Sequence, residues 1–384
     1  MRGAAEGDAV TAGRIIRVAL IWQALGLLAW LLTPAVRFLV MALFGSGLLL
    51  LLAEPAWRRA ARTGALGAAF GLVWAAGHPD PLQVALAHPT LPMALLGLGA
   101  LGEFGLHPAT DDTVTLAGFG IPLFVFGIAL ALGPISHAQL FTRDAVLLEA
   151  DRSLGGLPSY AMATAIGGRP LLAAASWFAY VTLPIEVCVV TLVAIRRALP
   201  DMRPRRILLA CATAGLAAAV LYLICPATGP RYAFPGFPAG RPGPLPLAGM
   251  VVSAEFPRNA MPSLHLAWAW MLHHAARPVA WLRYATLAWL AGVALATLWT
   301  GEHYLIDLVV AVPFVAAVEA GLARALRPAL LAGVATLGWV VFLGTAGGLS
   351  PEVAWPAVGV TLALGVWAMP RTPYAETAPL VAGS

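Results

Sequence analysis

Residues 303–323 read HYLIDLVVAVPFVAAVEAGLA, a histidine and an aspartate four positions apart that open an apolar run. The run is long enough to cross a hydrocarbon core of about 30 Å. An ionisable pair at the edge of such a run is expensive unless it performs a task, so the stretch reads both as a membrane span and as one wall of a site. A second polar signature, Pro262-Ser263-Leu264-His265, stands at the edge of another apolar run, 38 positions before His303. That separation is one helix in and one helix out, which brings the two histidines to the same membrane face.

Composition agrees with a chain that lives in lipid. With 60% hydrophobic and 11% charged residues, it lies far from the roughly 25% charge of soluble domains. The fold class expected is all-α, a polytopic membrane protein. All 23 basic residues are arginine and none is lysine, which excludes Schiff-base chemistry on a lysine. The richness in Ala, Gly, Arg, Leu and Pro points to a GC-rich, actinobacterium-like source. Cys188, Cys211 and Cys225 lie inside apolar runs without metal-ligand spacing and read as small buried hydrophobes. The polar start, residues 1–13, leads into a full-length span with no small-residue cleavage site, so the first span reads as an uncleaved anchor.

The apolar runs lay out as twelve helices, at 18–33, 36–53, 64–77, 92–105, 114–134, 171–195, 207–225, 262–277, 282–300, 303–323, 329–346 and 352–369. The third and fourth are short and contain Gly and Pro, so ten spans with a re-entrant pair is the alternative. Three parts follow: outer helices over 1–113, a six-helix catalytic core over 114–323, and a two-helix extension with a tail over 324–384. Arginines at 14, 17, 58, 59, 62, 196–206, 277, 283, 324, 327 and 371 fall on one side of this layout. Short cytoplasmic loops are enriched in basic residues, so that side is the cytoplasm and both signatures open outward. Among the outer loops, Ala145-Val146-Leu147-Leu148 and Ala150-Asp151 read as a short amphipathic helix lying on the surface. Asp144 and Asp151 read as its solvated face, with a part in shaping acceptor entry as the alternative. The proline-dense loop 226–261 reads as a stiffened lid.

Pro262 suits the first turn of a helix, where its missing N–H costs nothing. A helix start offers free N–H groups to an anion, Ser263 adds a hydroxyl, and His265 then stands one turn away, placed to protonate a departing oxygen. On a helix His303 and Asp307 share a face, so the carboxylate accepts the imidazole N–H. The other ring nitrogen is left to attack phosphorus or to take a proton. A phosphate also needs fixed positive charge, and Arg231 and Arg258 are the outward-facing candidates. Tyr232, Asn259, Tyr304 and the intramembrane Glu186 are candidates for lining the substrate. His273 and His274 fall near the cytoplasmic end of their span and read as interfacial.

These residues carry a resemblance. The run 114–323 resembles the six-helix core of the type 2 phosphatidic acid phosphatase superfamily, which has a basic motif, a Pro-Ser-x-His motif and a His-x-x-x-Asp motif in that order. More narrowly, Gly229-Pro230-Arg231, Ala260-Met261-Pro262-Ser263-Leu264-His265 and Gly301-Glu302-His303-Tyr304-Leu305-Ile306-Asp307 resemble the branch that contains inositol phosphorylceramide synthases. The resemblance implies that His303 is the nucleophile, Asp307 orients it and His265 serves the leaving group, with no metal and no other cofactor. The usual Lys-x6-Arg-Pro motif cannot exist in a lysine-free chain, and Ala296-Thr297 stands where Ser-Arg is expected.

The reading is therefore a lipid phosphatase or phospho-headgroup transferase at the extracytoplasmic face. Its partners are a lipid phosphate or phospholipid substrate, a hydroxyl acceptor such as inositol or a lipid alcohol, and the bilayer, with no role for nucleic acid. Two other classes remain: a transporter or lipid-binding protein without phosphoryl chemistry, and a metalloenzyme built from His265, His303 and Asp307. The arginine distribution makes a separate prediction about sidedness. Single cysteines at Gly240 or Ser253, in a background without the native three, should react with an impermeant thiol reagent in intact cells, whereas cysteines at Arg59 or Arg203 should not. The reverse pattern would put the site in the cytoplasm.

Overall fold

The computed structural model describes residues 37–53, 57–76, 90–107, 112–345, 348–372 and 374, so the expected first span at 18–33 lies outside the described residues. The described elements are almost all helical. They run α1 (Arg37–Ala53), α2 (Trp57–Ala76), α3 (Thr90–Leu106), α4 (Asp112–Ala138), β1 (Phe141–Thr142), α5 (Asp144–Ser153), α6 (Pro158–Gly167), α7 (Pro170–Val181) and α8 (Leu183–Arg197). After these come α9 (Pro204–Ile224), α10 (Pro230–Ala233), β2 (Met250–Val251), α11 (Leu264–Ala276), α12 (Ala280–Trp299), α13 (Leu305–Leu322), α14 (Leu326–Gly344) and α15 (Pro351–Ala368).

Two compact units share these elements, Met1–Gly127 with Val181–Leu199, and Ile128–Tyr180 with Pro200–Ser384. In the first, small residues let the helices approach to backbone contact, the packing device available where lipid removes the hydrophobic drive. A Cβ at Gly97 would collide with the Leu43 carbonyl, and one at Gly99 with the Thr63 carbonyl. The same hairpin is fastened by Arg62, whose Nε and Nη2 lie 2.7 and 2.6 Å from Oε1 of the buried Glu103. Glu186, in the first turn of α8, is buried in this unit with neither carboxyl oxygen hydrogen-bonded.

The second unit is arranged around α13. The most apolar 18-residue window of α13 is 72% buried, against 28% for α14 and α15, so α13 is the central helix and the other two are peripheral. Indole N–H groups tie the remaining helices together, from Trp268 to the Cys211 carbonyl at 3.0 Å, Trp289 to the Ala179 carbonyl at 2.8 Å, and Trp339 to Thr361 Oγ1 at 2.7 Å. At the far end of α13, Glu319 accepts the Tyr374 hydroxyl at 2.5 Å and stands 2.6 Å from His274 Nδ1. His274 is thus a buried bonding partner and not an interfacial group.

Twelve crossings are not confirmed among the described residues. Among the described residues six helices, α4, α9, α12, α13, α14 and α15, are long and apolar enough to cross a membrane, or seven if α7 and α8 make one broken span. The shortfall has local causes. The run 171–195 is interrupted at Thr182, just before Pro184, and the run 262–277 yields only the 13-residue α11, because residues 261–263 form a turn ahead of it. Pro262 therefore precedes the helix cap, which is Ser263, and does not occupy the first helical turn.

The segment read as a surface helix is a buried one. In α5, Asp144, Ala145, Val146, Leu147, Leu148, Ala150 and Asp151 are all inaccessible. Asp151 accepts the N–H groups of Leu305 and Ile306 at 2.9 and 3.0 Å, capping the start of α13 from another helix. Burial pushes its carboxyl up to about 8, against the opposing pull of those two donors. Asp151→Ala should strand two buried N–H groups at about 1–3 kcal/mol each, whereas Asp151→Asn keeps an acceptor oxygen and should cost less. Thermal unfolding of the purified variants in detergent checks that order, and equal losses would remove the capping role.

Candidate active site

Three loops of the second unit are stitched together by backbone hydrogen bonds, and the candidate residues sit at the seams. The Ala260 N–H donates to the Ala227 carbonyl at 3.0 Å, joining the segment before Ser263 to the segment before Arg231. Arg231 N–H donates to the Gly301 carbonyl at 3.0 Å, and Ser263 N–H to the Asp307 carbonyl at 3.3 Å. Gly229 and Gly301 have φ of 93° and 73°, and a Cβ on Gly229 would meet the Glu302 carbonyl. Glycine is needed there both for the left-handed backbone and for the close approach.

Asp144 holds the first loop from below. Its carboxylate accepts from Gly229 N at 2.9 Å, from Thr228 N and Thr228 Oγ1 at 3.1 Å, and from the Tyr304 hydroxyl at 2.8 Å. Burial raises its pKa, and these donors oppose the rise. Tyr304, expected to line the substrate, is instead wholly buried as the strut between Asp144 and α13.

His303 is not on the helix that Asp307 occupies. It lies in the turn between α12 and α13, with its carbonyl accepting from Ser159 Oγ at 2.8 Å and its N–H donating to the Thr297 carbonyl at 3.1 Å. Its Nδ1 is 2.9 Å from the Ala260 carbonyl and 3.4 Å from Asp307 Oδ2. A carbonyl can only accept, so Nδ1 carries the proton and Nε2 presents a lone pair. Asp307 uses the same Oδ2 to accept the Tyr304 N–H at 2.8 Å, and its Oδ1 is buried without a partner. The Ala260 carbonyl, and not the expected Asp307 carboxylate, is the nearer orienting group.

His265, on the first turn of α11, meets the His303 ring edge-on with centroids 6.1 Å apart. Its other side is stacked on Tyr180, centroids 4.3 Å apart, and Tyr180 is stacked in turn on Trp177. Ser263 caps the helix, its Oγ accepting from Leu266 N at 3.4 Å, which leaves the hydroxyl hydrogen available. Arg231 is half exposed, with Nη1 3.7 Å from Glu302 Oε1 and its guanidinium 5.7 Å from the Tyr232 ring. The Tyr232 hydroxyl donates to the same Glu302 oxygen at 2.9 Å. Burial raises the Glu302 pKa, against the pull of that hydroxyl and of Arg231.

Arg258 is placed differently from the expectation. It is buried, and its two terminal nitrogens donate to the carbonyls of Ser253, Phe256, Val252 and Gln139 at 2.6–3.5 Å. A guanidinium committed to four carbonyls fastens the loop and has only a buried Nε left over, whereas Arg231 is half exposed. Asn259 is partly buried beside it. Glu186 belongs to the other compact unit. Among the described residues no three His, Cys, Asp or Glu side chains are grouped as metal ligands.

Reasoning from sequence passed over Tyr180 and took Asp144 and Asp151 for a solvated face or groups at the acceptor's entry, not for buried struts. The two aspartates are seven positions apart, two turns on one helix face, and that spacing inside an otherwise apolar segment was the available signal.

Residues 145–320, which include both histidines, Asp307, Arg231 and Ser263, match a family model described as PAP2 superfamily. That match supports the type 2 phosphatidic acid phosphatase superfamily. No curated protein and no solved structure gives a match.

Burial pulls the His303 imidazole down to about 4, with the neighbouring Glu302 charge and the Ala260 carbonyl opposing. The ring is therefore neutral from about pH 5 upward. Nitrogen NMR of the histidine-labelled protein should show His303 keeping one protonated nitrogen down to about pH 5. A midpoint near the ordinary value of about 6.5 would contradict the desolvated site.

Proposed function

We propose that this chain is an integral membrane enzyme that cleaves a lipid phosphate ester, or transfers its phospho-headgroup, with His303 as nucleophile. The observation that carries the reading is the placement of the His303 ring, its Nδ1 2.9 Å from the Ala260 carbonyl and a second histidine edge-on beside it. The PAP2 superfamily match supports phosphatase or phosphotransferase chemistry on lipid phosphate esters.

In the first step His265 takes a proton from solvent as the phosphate's negative charge enters, Nε2 of His303 attacks phosphorus, the P–O bond to the leaving alcohol breaks, and His265 gives that oxygen its proton. In the second, water or an acceptor hydroxyl attacks the phosphohistidine while His265 takes a proton back, and Nε2 leaves with its electron pair. Arg231, half exposed beside the loop that carries His303, binds the phosphoryl oxygens, and the free hydroxyl hydrogen of Ser263 adds a donor. The negative charge that builds on those oxygens in the transition state is where such donors act most strongly. The residues responsible fall within 114–323, the proposed catalytic core, and the arginine distribution favours a site on the extracytoplasmic face. The likeness of the three loops to inositol phosphorylceramide synthases favours transfer to a hydroxyl acceptor over hydrolysis.

His303→Ala should insert and fold yet lose at least about a thousandfold in turnover, as when one member of a catalytic unit is removed. Rapid quenching of the wild type should show acid-labile phosphate or phospho-headgroup on His303, and near-normal turnover of the purified variant would sink the assignment. For Arg231, Lys keeps the charge and loses the planar fork. Catalytic efficiency should fall from wild type to Arg231→Lys to Arg231→Ala, the last by about a hundredfold, or roughly 2.7 kcal/mol. Full activity in Arg231→Ala would move the phosphate clamp elsewhere.

A further inference from the structure

One face of the His265 ring is covered by an aromatic side chain from another helix. Tyr180 lies against it with centroids 4.3 Å apart and planes 27° from parallel, while His303 meets His265 edge-on at 68°. Trp177 backs Tyr180 in turn, centroids 5.4 Å apart and planes at 18°. Three rings from α7 and α11 thus form one stack that ends at the histidine. Tyr180 is buried, so packing fixes its place.

The helix that carries this platform is fastened to the helix that leads to His303. From α12, the Trp289 indole donates to the Ala179 carbonyl at 2.8 Å and the Trp299 indole to Ser176 Oγ at 2.9 Å. A Cβ on Gly292 would lie 2.7 Å from the Ala179 Cβ, so α7 and α12 touch there with no room for a side chain. Trp299 ends α12, and the turn after it holds His303. The Tyr180 face and the His303 ring are therefore both anchored to α12, and His265 stands between them.

The consequence follows from charge. An aromatic face is the negative side of the ring quadrupole, so it attracts an imidazolium more strongly than a neutral imidazole. His265 is partly buried, and a charged ring there gives up water. A phenol ring stacked on it offsets part of that loss and holds the plane of the imidazole. An aliphatic side chain of similar size could fill the space but could not tell the two protonation states apart.

We propose that Tyr180 is a positioning residue for the general acid, its ring face holding the His265 imidazole in plane and favouring the protonated form that the leaving oxygen needs. The role rests on the phosphoryl reading, because it requires His265 to move a proton; the ring stack itself does not.

The test uses the purified full-length protein in detergent and two phosphate monoesters with the same hexadecyl chain. One leaves as an alcohol, the other as a nitrophenol that departs without a proton. Tyr180→Leu and Tyr180→Met, which both lack the ring, should lower kcat on the alkyl ester about tenfold, the scale of a partly desolvated cation–π contact. KM and the nitrophenyl rate should stay near wild type, which shows that the variants fold, and Tyr180→Phe should restore the alkyl rate. In proton–carbon NMR of histidine-labelled protein, the His265 ring signals should lie upfield in wild type and Tyr180→Phe, under the aromatic ring current, and move downfield in the other two. Equal losses on both esters would reduce Tyr180 to packing, and a Phe variant as impaired as the Leu variant would give the role to the hydroxyl; either overturns the proposal. If His265→Ala spares only the nitrophenyl ester while Tyr180→Leu spares both, the platform fails and the phosphoryl reading stands. If His303→Ala is as active as wild type, or wild type turns over no lipid phosphate ester, that reading fails and this role with it, whatever the ring shifts show of the stack.

Discussion

The buried carboxylate of Asp144 is the interaction on which the arrangement depends. Four donors converge on it, two backbone N–H groups and a hydroxyl from Thr228 and Gly229 and the phenol of Tyr304. A buried acid without such partners would be costly, and hydrogen bonds to a charged group contribute about 1.5–3 kcal/mol each. Two turns further along the same helix Asp151 caps α13. One face of α5 thus sets the height of the Arg231 loop and the start of the helix that carries Asp307, and His303 lies in the turn leading into that helix. The backbone seams among the loops then have only small freedoms left to fix.

The same burial that makes these carboxylates demanding makes the histidine useful. His303 is enclosed, so the imidazolium is disfavoured and the neutral ring prevails. Which nitrogen keeps the hydrogen is decided by a main-chain carbonyl at 2.9 Å, supplied by Ala260 from the loop before His265. Asp307, 3.4 Å away, serves first to cap its own helix through the Tyr304 N–H. The short loop sequences thus act on one another: the segment that positions His265 also sets the tautomer of His303. Removing the aspartate would disturb the helix start as well as the imidazole, so its loss reports on both.

Much of this was legible in the residues. Two histidines and an aspartate at the edges of apolar runs stand out because lipid makes them expensive, and the structure does bring His265 and His303 within ring contact. Helix count was less legible, since an apolar run records composition and not continuity, and a break such as that at Thr182 leaves the run intact. The amphipathic look of α5 misled for a related reason. Its polar face was taken to meet water, whereas it meets backbone N–H groups supplied from 84 and more positions away. Tyr304 and Arg258 were misplaced in the same manner, because a side chain's partner across the chain is invisible to local pattern.

The central helix α13 is pinned at both ends by buried carboxyl groups drawn from different parts of the chain. At its start are Asp307 of its own and Asp151 from α5, and near its finish Glu319 is bonded to Tyr374 and His274. Between them the helix is apolar and packed on most sides, which gives little resistance to rotation or sliding, because hydrocarbon contacts are non-directional. Directional bonds at the two ends supply what the middle lacks. A shift of one residue would strand several buried polar groups at once, so the register of α13 is specified far more sharply than its apolar composition implies. The geometry around His303 inherits that precision.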